Sequence, residues 1–406
     1  MQEFHSKTGQ NWKTRYVSIF VGQTFSQIGS AVTQFILLWW ITDTTGEVSA
    51  LATAGVLAFL PQALLGPIAG AIADRYNRRM LMIFSDLLSM FCIIILVYLF
   101  YTHLINIWHI YVLVAVRGIL TTIQDPAADA SIPMLVPASF LSNAVGLNQT
   151  LGGVITIVSA PLGALAIGLL PIEWALSIDI FTALVGILPL LIFTIPQHIN
   201  KSKSIKNIGI EIKEGVQIVW NNKGLRYLYF ILGAMILVIM PCFTFVPLLV
   251  KTYFNGGAPE VAVIEGISGG AMVLGGLVVT FFTPKRKILW IIFGFAASCF
   301  SMAATAFVAP SLFWLAVIFW SISGVSFILG NAPLTALLQF TIPNQLQGRA
   351  LSLLTAIQGL ATPLGLGIAF CIGELMSVNI IFIIMGILGG AICLFALTSR
   401  QIRKLE

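Results

Sequence analysis

The sequence predicts an all-α integral membrane protein of twelve transmembrane helices, arranged as two six-helix halves that resemble each other. Three observations carry that prediction. Hydrophobic residues make up 58% of the 406-residue chain and charged residues only 9%, against about a quarter in a typical soluble domain. A soluble domain this size must cover itself with polar groups, and this chain has too few. Apolar runs able to cross the roughly 30 Å hydrocarbon core of a bilayer follow one another along the chain. Finally, landmarks in the second half repeat those of the first at matching positions.

The first span runs from about Tyr16 to Ile41, the second from Ser49 to Ala73 and the third from Met80 to Tyr101. The fourth covers Ile107 to Ile132, the fifth Ser142 to Gly168 and the sixth Ile172 to Ile195. The other six fall near 225–250, 261–283, 288–308, 311–338, 348–373 and 378–398. The polar start leads into a first span without a small-residue cleavage site, so that span is expected to be retained. The division is therefore 1–195 for the N-terminal bundle, 196–222 for a linker and 223–406 for the C-terminal bundle. Within the linker, HINKSKSIKN is basic, and Ile208, Ile212, Val216 and Val219 share one helical face. With Trp220 at headgroup level, this predicts a helix lying along the inner membrane surface.

Lys and Arg set the orientation. Placing the N-terminus inside puts Lys7, Lys13, Arg15, the Arg75 cluster, the linker, Lys285–Arg286–Lys287, Arg349, Arg400, Arg403 and Lys404 in the cytoplasm. Among the outer loops only Lys251 is basic. Both termini are therefore expected to be cytoplasmic. The repeat is equally specific. Ala160-Pro161-Leu162-Gly163 in the fifth span matches Thr362-Pro363-Leu364-Gly365 in the eleventh, 202 residues later. Val136-Pro137 followed by Ala144 matches Ile342-Pro343 followed by Ala350. Such a duplication fits a transporter whose substrate site lies between the halves near the bilayer midplane.

Several function classes are excluded or disfavoured. The net charge of +6 comes from short basic clusters between apolar runs, a pattern of membrane topology and not of nucleic-acid binding. Cys92, Cys242, Cys299, Cys371 and Cys393 stand singly in apolar runs, so no metal site or disulfide framework is expected. No HExxH or GxxxxGK[ST] segment is present, and the four histidines fall in loops, tails or span ends. An enzyme and an ATP-driven pump are both disfavoured.

Charge inside the spans needs a reason, because it is costly there. Arg117 lies roughly 15 Å into the fourth span by helical rise. Asp125 and Asp129 follow toward the inner end, and Asp86 enters the third span from that same end. Asp86 and Asp125 are placed at similar depth, to share protons or to pair with Arg117. Asp179 and Glu265 lie shallowly below the outer surface. Proton coupling and a purely structural ion pair both account for these residues.

The block GAIADRYNRR, Gly70 to Arg79, is the densest charge in the first half. A topogenic basic loop explains its arginines. It does not explain Asp74 beside Arg75, or Gly70 one turn beyond Gly66. The spacing GxxxDRxxRR between the second and third spans resembles the signature loop of the major facilitator superfamily. That resemblance extends over essentially the whole chain and implies a major facilitator fold and a secondary transporter. It implies a cytoplasmic gate of Gly70, Asp74, Arg75, Arg78 and Arg79, with Gly70 for close packing, Asp129 as the better partner of a loop arginine and Asp125 as the second choice. Asn77 stands where the family usually has Gly, and Asn also accepts positive φ. Arg117-Gly118 is similar to the fourth-span motif associated with proton coupling; by their depth, Asp86 and Asp125 are the candidate coupling acids. Ala160-Pro161-Leu162-Gly163 resembles the antiporter motif, with Ala160 replacing its usual Gly.

More narrowly, NWKTRYVSIFVGQTFSQIGSAV, FLPQALLGPIAGAIADRYNRR, EIKEGVQIVWNNKGLRYL, FNGGAP and QGRALSLL resemble the macrolide-efflux branch of the drug–proton antiporters. The cavity of such transporters would here be lined by Gln23, Gln27, Gln34, Phe35, Trp39, Met240, Phe243, Phe245, Trp320 and Asn331. Aromatic and Met surfaces suit large amphipathic molecules, although ordinary packing explains such residues as well. The resemblance implies proton-driven export of such drugs across a bacterial-type plasma membrane by a monomer without a cofactor. Export of an endogenous metabolite, such as a siderophore or a lipid-like compound, is the alternative.

Overall fold

A computed structural model describes residues 12–197, 216–217, 219–281, 286–342 and 344–403. Its long elements are all helices: α1 (Trp12–Thr45), α2 (Val48–Arg75), α3 (Arg78–Tyr101), α4 (Ile107–Leu135), α5 (Leu141–Leu169), α6 (Ile172–Ile192), α7 (Lys223–Thr252), α8 (Ala258–Phe281), α9 (Lys287–Phe307), α10 (Phe313–Thr341), α11 (Asn344–Gly373) and α12 (Val378–Phe395). Eleven of them are long and apolar enough to cross a membrane. The exception is α1, 34 residues long, whose amides and hydroxyls at Gln23, Thr24, Ser26, Gln27 and Gln34 dilute its hydropathy. The expected linker helix falls almost wholly outside the described residues. Of its predicted face, Val219 is buried and Val216 exposed, and the Arg226 guanidinium lies 5.1 Å from the Trp220 ring centroid.

The chain groups into two compact units, one drawn from Met1–Leu37 and Leu64–Ile205, the other from Leu38–Ala63 and Lys206–Glu406. This division differs from the expected one, because the end of α1 and the start of α2 belong with the second unit. The reason lies in local contacts. Val48 packs on Gly373, a Cβ at Gly55 would meet Leu366 Cδ1 at 2.8 Å, and Lys251 Nζ donates to Asp43 Oδ1.

In the first unit α3 packs against both α4 and α6. The approach of α1 to α6 depends on glycine. A Cβ at Gly22 would stand 3.0 Å from both Pro189 Cγ and Val185 O, and one at Gly186 would stand 2.9 Å from Ser26 Cβ. At Gly29 it would overlap Thr182 Oγ1. Helices this close bring short polar side chains within hydrogen-bond reach. In the second unit α9 packs on α10 and α12, α10 on α8, and α7 on α11 and α12.

The repeated motif has the same job in both units. Gly163 of α5 faces the ring of Phe35 on α1, and Gly365 of α11 faces the Leu237 carbonyl on α7. Each glycine therefore lets the fifth helix of a half lie against the first helix of the same half.

Candidate functional site: a polar core in the first unit

Two polar clusters lie within the first unit, and α1 contributes to both. Its Gln23, Ser26 and Ser30 recur at intervals of three and four residues, which places them along one helical face. Gln23 Nε2 donates to Asp86 Oδ2 at 3.0 Å and lies 3.3 Å from the Gly186 carbonyl. Ser26 Oγ donates to Asp86 Oδ1 at 3.4 Å. From α4, Gln124 Nε2 donates to the same oxygen at 2.7 Å. Asp86 is 3% exposed, and every one of these donors is neutral. Burial without a cation is costly for a carboxylate, so this group is held by hydrogen bonds alone.

The second cluster is ionic. Arg117 on α4 donates to Asp179 Oδ2 on α6 at 2.8 Å and to Ser30 Oγ at 3.1 Å. Ser30 Oγ in turn donates to Asp179 Oδ1 at 3.3 Å. This closed triad corrects the expectation that Arg117 pairs with Asp86 or Asp125. Depth along the helices allowed that pairing, but the glycine-tight seam of α1 with α6 carries Asp179 to the guanidinium instead. Asp125 has no hydrogen bond or ion pair among the described residues and sits on an exposed face of α4.

The turn from α2 to α3 clasps its own unit. Arg78 is buried, its Nη2 paired with Asp74 Oδ1 at 3.1 Å. Its Nε donates to the Ala73 carbonyl at 3.1 Å and its Nη1 to the Ala130 carbonyl of α4 at 2.5 Å. Arg79 donates to the carbonyls of Leu190 and Leu191 at the end of α6. Arg75, beside them, is half-buried. Three expectations are corrected here. Asp129 accepts from Asn148 Nδ2 of α5 at 3.2 Å instead of pairing with a loop arginine, because Arg78 is already committed to Asp74 and to α4. Asn77 has φ −66° and caps α3 by accepting from Met80 N, so this position needs no positive φ. Among the described residues a Cβ at Gly70, or at Gly66, would meet no heavy atom within 4 Å, so Gly70 does not make the close contact expected of it there.

The expected cavity residues scatter among different environments. Gln23 is taken up by Asp86, and Phe35 is buried against Gly163. Phe245 at 0% and Trp320 at 2% exposure are core side chains. Phe243 is half-buried, its ring 5.2 Å from Trp320 and 6.5 Å from Phe327. Gln27 is exposed, and Gln34, Trp39, Met240 and Asn331 are half-buried. Ser26, Ser30 and Gln124 were not singled out from sequence. The available signal was the repeat of polar residues on one face of α1.

Comparison with known proteins now bears on this geometry. The sequence profile of the Major Facilitator Superfamily matches residues 19–366. Macrolide efflux protein A of Streptococcus pyogenes is 30% identical over 398 residues, covering 98% of both chains. Macrolide efflux protein A of Enterococcus faecalis is 30% identical over 313 residues, 77% of this chain and 97% of that protein. The crystal structure of the nucleoside transporter NupG superposes with a TM-score of 0.73 at 12% identity, over 95% of this chain and 98% of that one. A likeness at that identity speaks for the fold alone. A multi-pass helical fold, a family profile over most of the length and end-to-end relatives agree: the chain is a membrane transporter of a small molecule, not an enzyme, and it belongs to the Major Facilitator Superfamily.

Proposed function

We propose that this transporter exports macrolide-like amphipathic drugs in exchange for protons, by alternating access across a bacterial plasma membrane. The end-to-end 30% identity to Macrolide efflux protein A carries the substrate class. Support for proton exchange comes from Asp86, a carboxylate held only by Gln23, Ser26 and Gln124. Amide and hydroxyl donors hold it in place without cancelling its charge, so a proton is the cation that can. Arg117 and Asp179 then act as a fixed pair beside it, and Asp125 is a second acid on the same helix as Gln124.

On this reading Asp74, Arg75, Arg78 and Arg79 form the cytoplasmic gate, both termini lie in the cytoplasm, and the working unit is a monomer. The proton gradient is the sole energy source, with no cofactor. Gln27, Gln34, Trp39, Met240, Phe243 and Asn331 are the side chains with surface left to meet a drug.

Reconstitution into liposomes with an imposed pH gradient tests the reading. Erythromycin should move against the proton flow, and Asp86→Asn should abolish gradient-driven movement while leaving downhill exchange of drug for drug. Drug flux that ignores the gradient refutes antiport. Absence of flux for any macrolide by folded protein refutes the substrate class.

A further inference from the structure

Gln197 closes the turn between α2 and α3, although it belongs to neither helix. It is the second residue of the expected linker, a short extended stretch beyond the end of α6. Ile195, two residues earlier, is buried in one apolar cluster with Ala73 of α2 and with Met82 and Ile83 of α3, which lays this stretch along the turn. From there the Gln197 side chain takes both ends of the turn at once. Its Oε1 accepts from the Arg78 backbone N–H at 2.9 Å, and its Nε2 donates to the Tyr76 carbonyl at 3.0 Å.

Both backbone groups are ones that the helices leave open. Arg78 is the first residue of α3, so its N–H has no carbonyl inside that helix. The Tyr76 carbonyl lies just past α2, and the Met80 N–H that would take it in a continuous helix donates to Asn77 Oδ1 instead, at 3.3 Å. A primary amide offers a donor and an acceptor side by side, so it serves both groups, whereas a carboxylate only accepts. The turn sets the angle between α2 and α3, and with it the approach of Asp74 to Arg78 across the turn. We propose that Gln197 is a positioning residue for transport, which holds the turn in the form that presents Asp74 and Arg75 and ties it to the chain leaving α6. It touches no substrate and acts through the turn. The proposal rests on the gate assignment in the export reading above and goes beyond it by naming what holds the gate in shape.

Exchange of labelled for unlabelled erythromycin across liposomes, at equal pH on both faces, tests it between about pH 8 and about pH 4. Gln197→Ala removes donor and acceptor. Its maximal exchange rate should fall roughly tenfold relative to the parent at every pH, with the half-saturating drug concentration unchanged. Gln197→Glu keeps the acceptor, but its ionised form sets a negative oxygen against the Tyr76 carbonyl. Protonated, it is donor and acceptor again. Its rate relative to the parent should therefore be as low as that of Gln197→Ala at the alkaline end and climb as pH falls through the carboxyl range. Hydrogen exchange of the 74–80 segment should quicken in Gln197→Ala, because the Arg78 amide has lost its acceptor. A parental rate in Gln197→Ala, unchanged hydrogen exchange, or a loss in Gln197→Glu that does not vary with pH overturns the proposal. If Gln197→Ala does not fold, the pH profile of Gln197→Glu decides alone. An active parent with unaffected variants overturns this proposal only, whereas an unaltered protein that exchanges no drug overturns the export reading and this one with it.

Discussion

Removing Asp179 should destabilise the first unit far more than removing the whole Arg117–Asp179 pair. The charges lie 2.8 Å apart, with side chains 13% and 4% exposed. At an effective dielectric near 20, that separation gives about 6 kcal/mol of gross attraction, much of it offset by desolvation of the two ions. Asp179→Leu leaves a guanidinium whose remaining partner in the triad is the Ser30 hydroxyl, and an orphaned buried charge costs about 3–5 kcal/mol. Arg117→Met leaves the opposite orphan and should cost a similar amount. The double variant removes both ions and should recover most of the loss, giving a coupling of at least about 3–5 kcal/mol in the cycle. Cys92, Cys242, Cys299 and Cys393 are buried free thiols, so thermal unfolding can be followed through their reaction with a thiol-sensitive dye. Additive losses in the double variant would refute the pair as an energetic unit. A single variant as stable as the parent would refute the claim that either charge depends on the other.

Other expectations follow from the same contacts. Gly163→Leu should cost at least about 1–3 kcal/mol through overlap with Phe35, and Gly365→Leu a similar amount against the Leu237 carbonyl; denaturant titration of both variants checks whether the two halves answer alike. Asp74→Ala should leave a folded protein, because Arg78 keeps the Ala73 and Ala130 carbonyls, yet lower drug flux in liposomes severely. Asp43→Ala should change stability by no more than about 1 kcal/mol, because its partner and it are largely exposed; a large fall in melting temperature would contradict this.

The spans were legible because a bilayer demands long apolar runs, and the duplication was legible because Pro and Gly recur at one interval. Asp86 and Arg117 stood out for a similar reason, as charges within such runs. Their partners did not. Gln23 lies 63 residues from Asp86 in sequence, and an amide in an apolar helix reads equally well as a drug contact. Depth along the helix ranked Asp86 and Asp125 as partners for Arg117, but depth says nothing about which helices touch. That depends on Gly22, Gly29 and Gly186, whose effect is visible only once α1 and α6 are side by side. Gly70, which the sequence favoured for close contact, faces open space among the described residues.

The polarity of α1 has a consequence during synthesis. This helix leaves the ribosome before the eleven that follow it, and it is the least apolar of the twelve. The groups that satisfy Gln23, Ser26 and Ser30 arrive much later: Asp179 follows Ser30 by 149 residues, roughly 7–30 s at bacterial elongation rates. For that interval the newborn α1 needs a temporary host, in the insertion machinery or at its lipid-facing mouth. Nascent chains arrested before α6 should therefore expose α1 to water-soluble labels, and chains arrested after α6 should shield it.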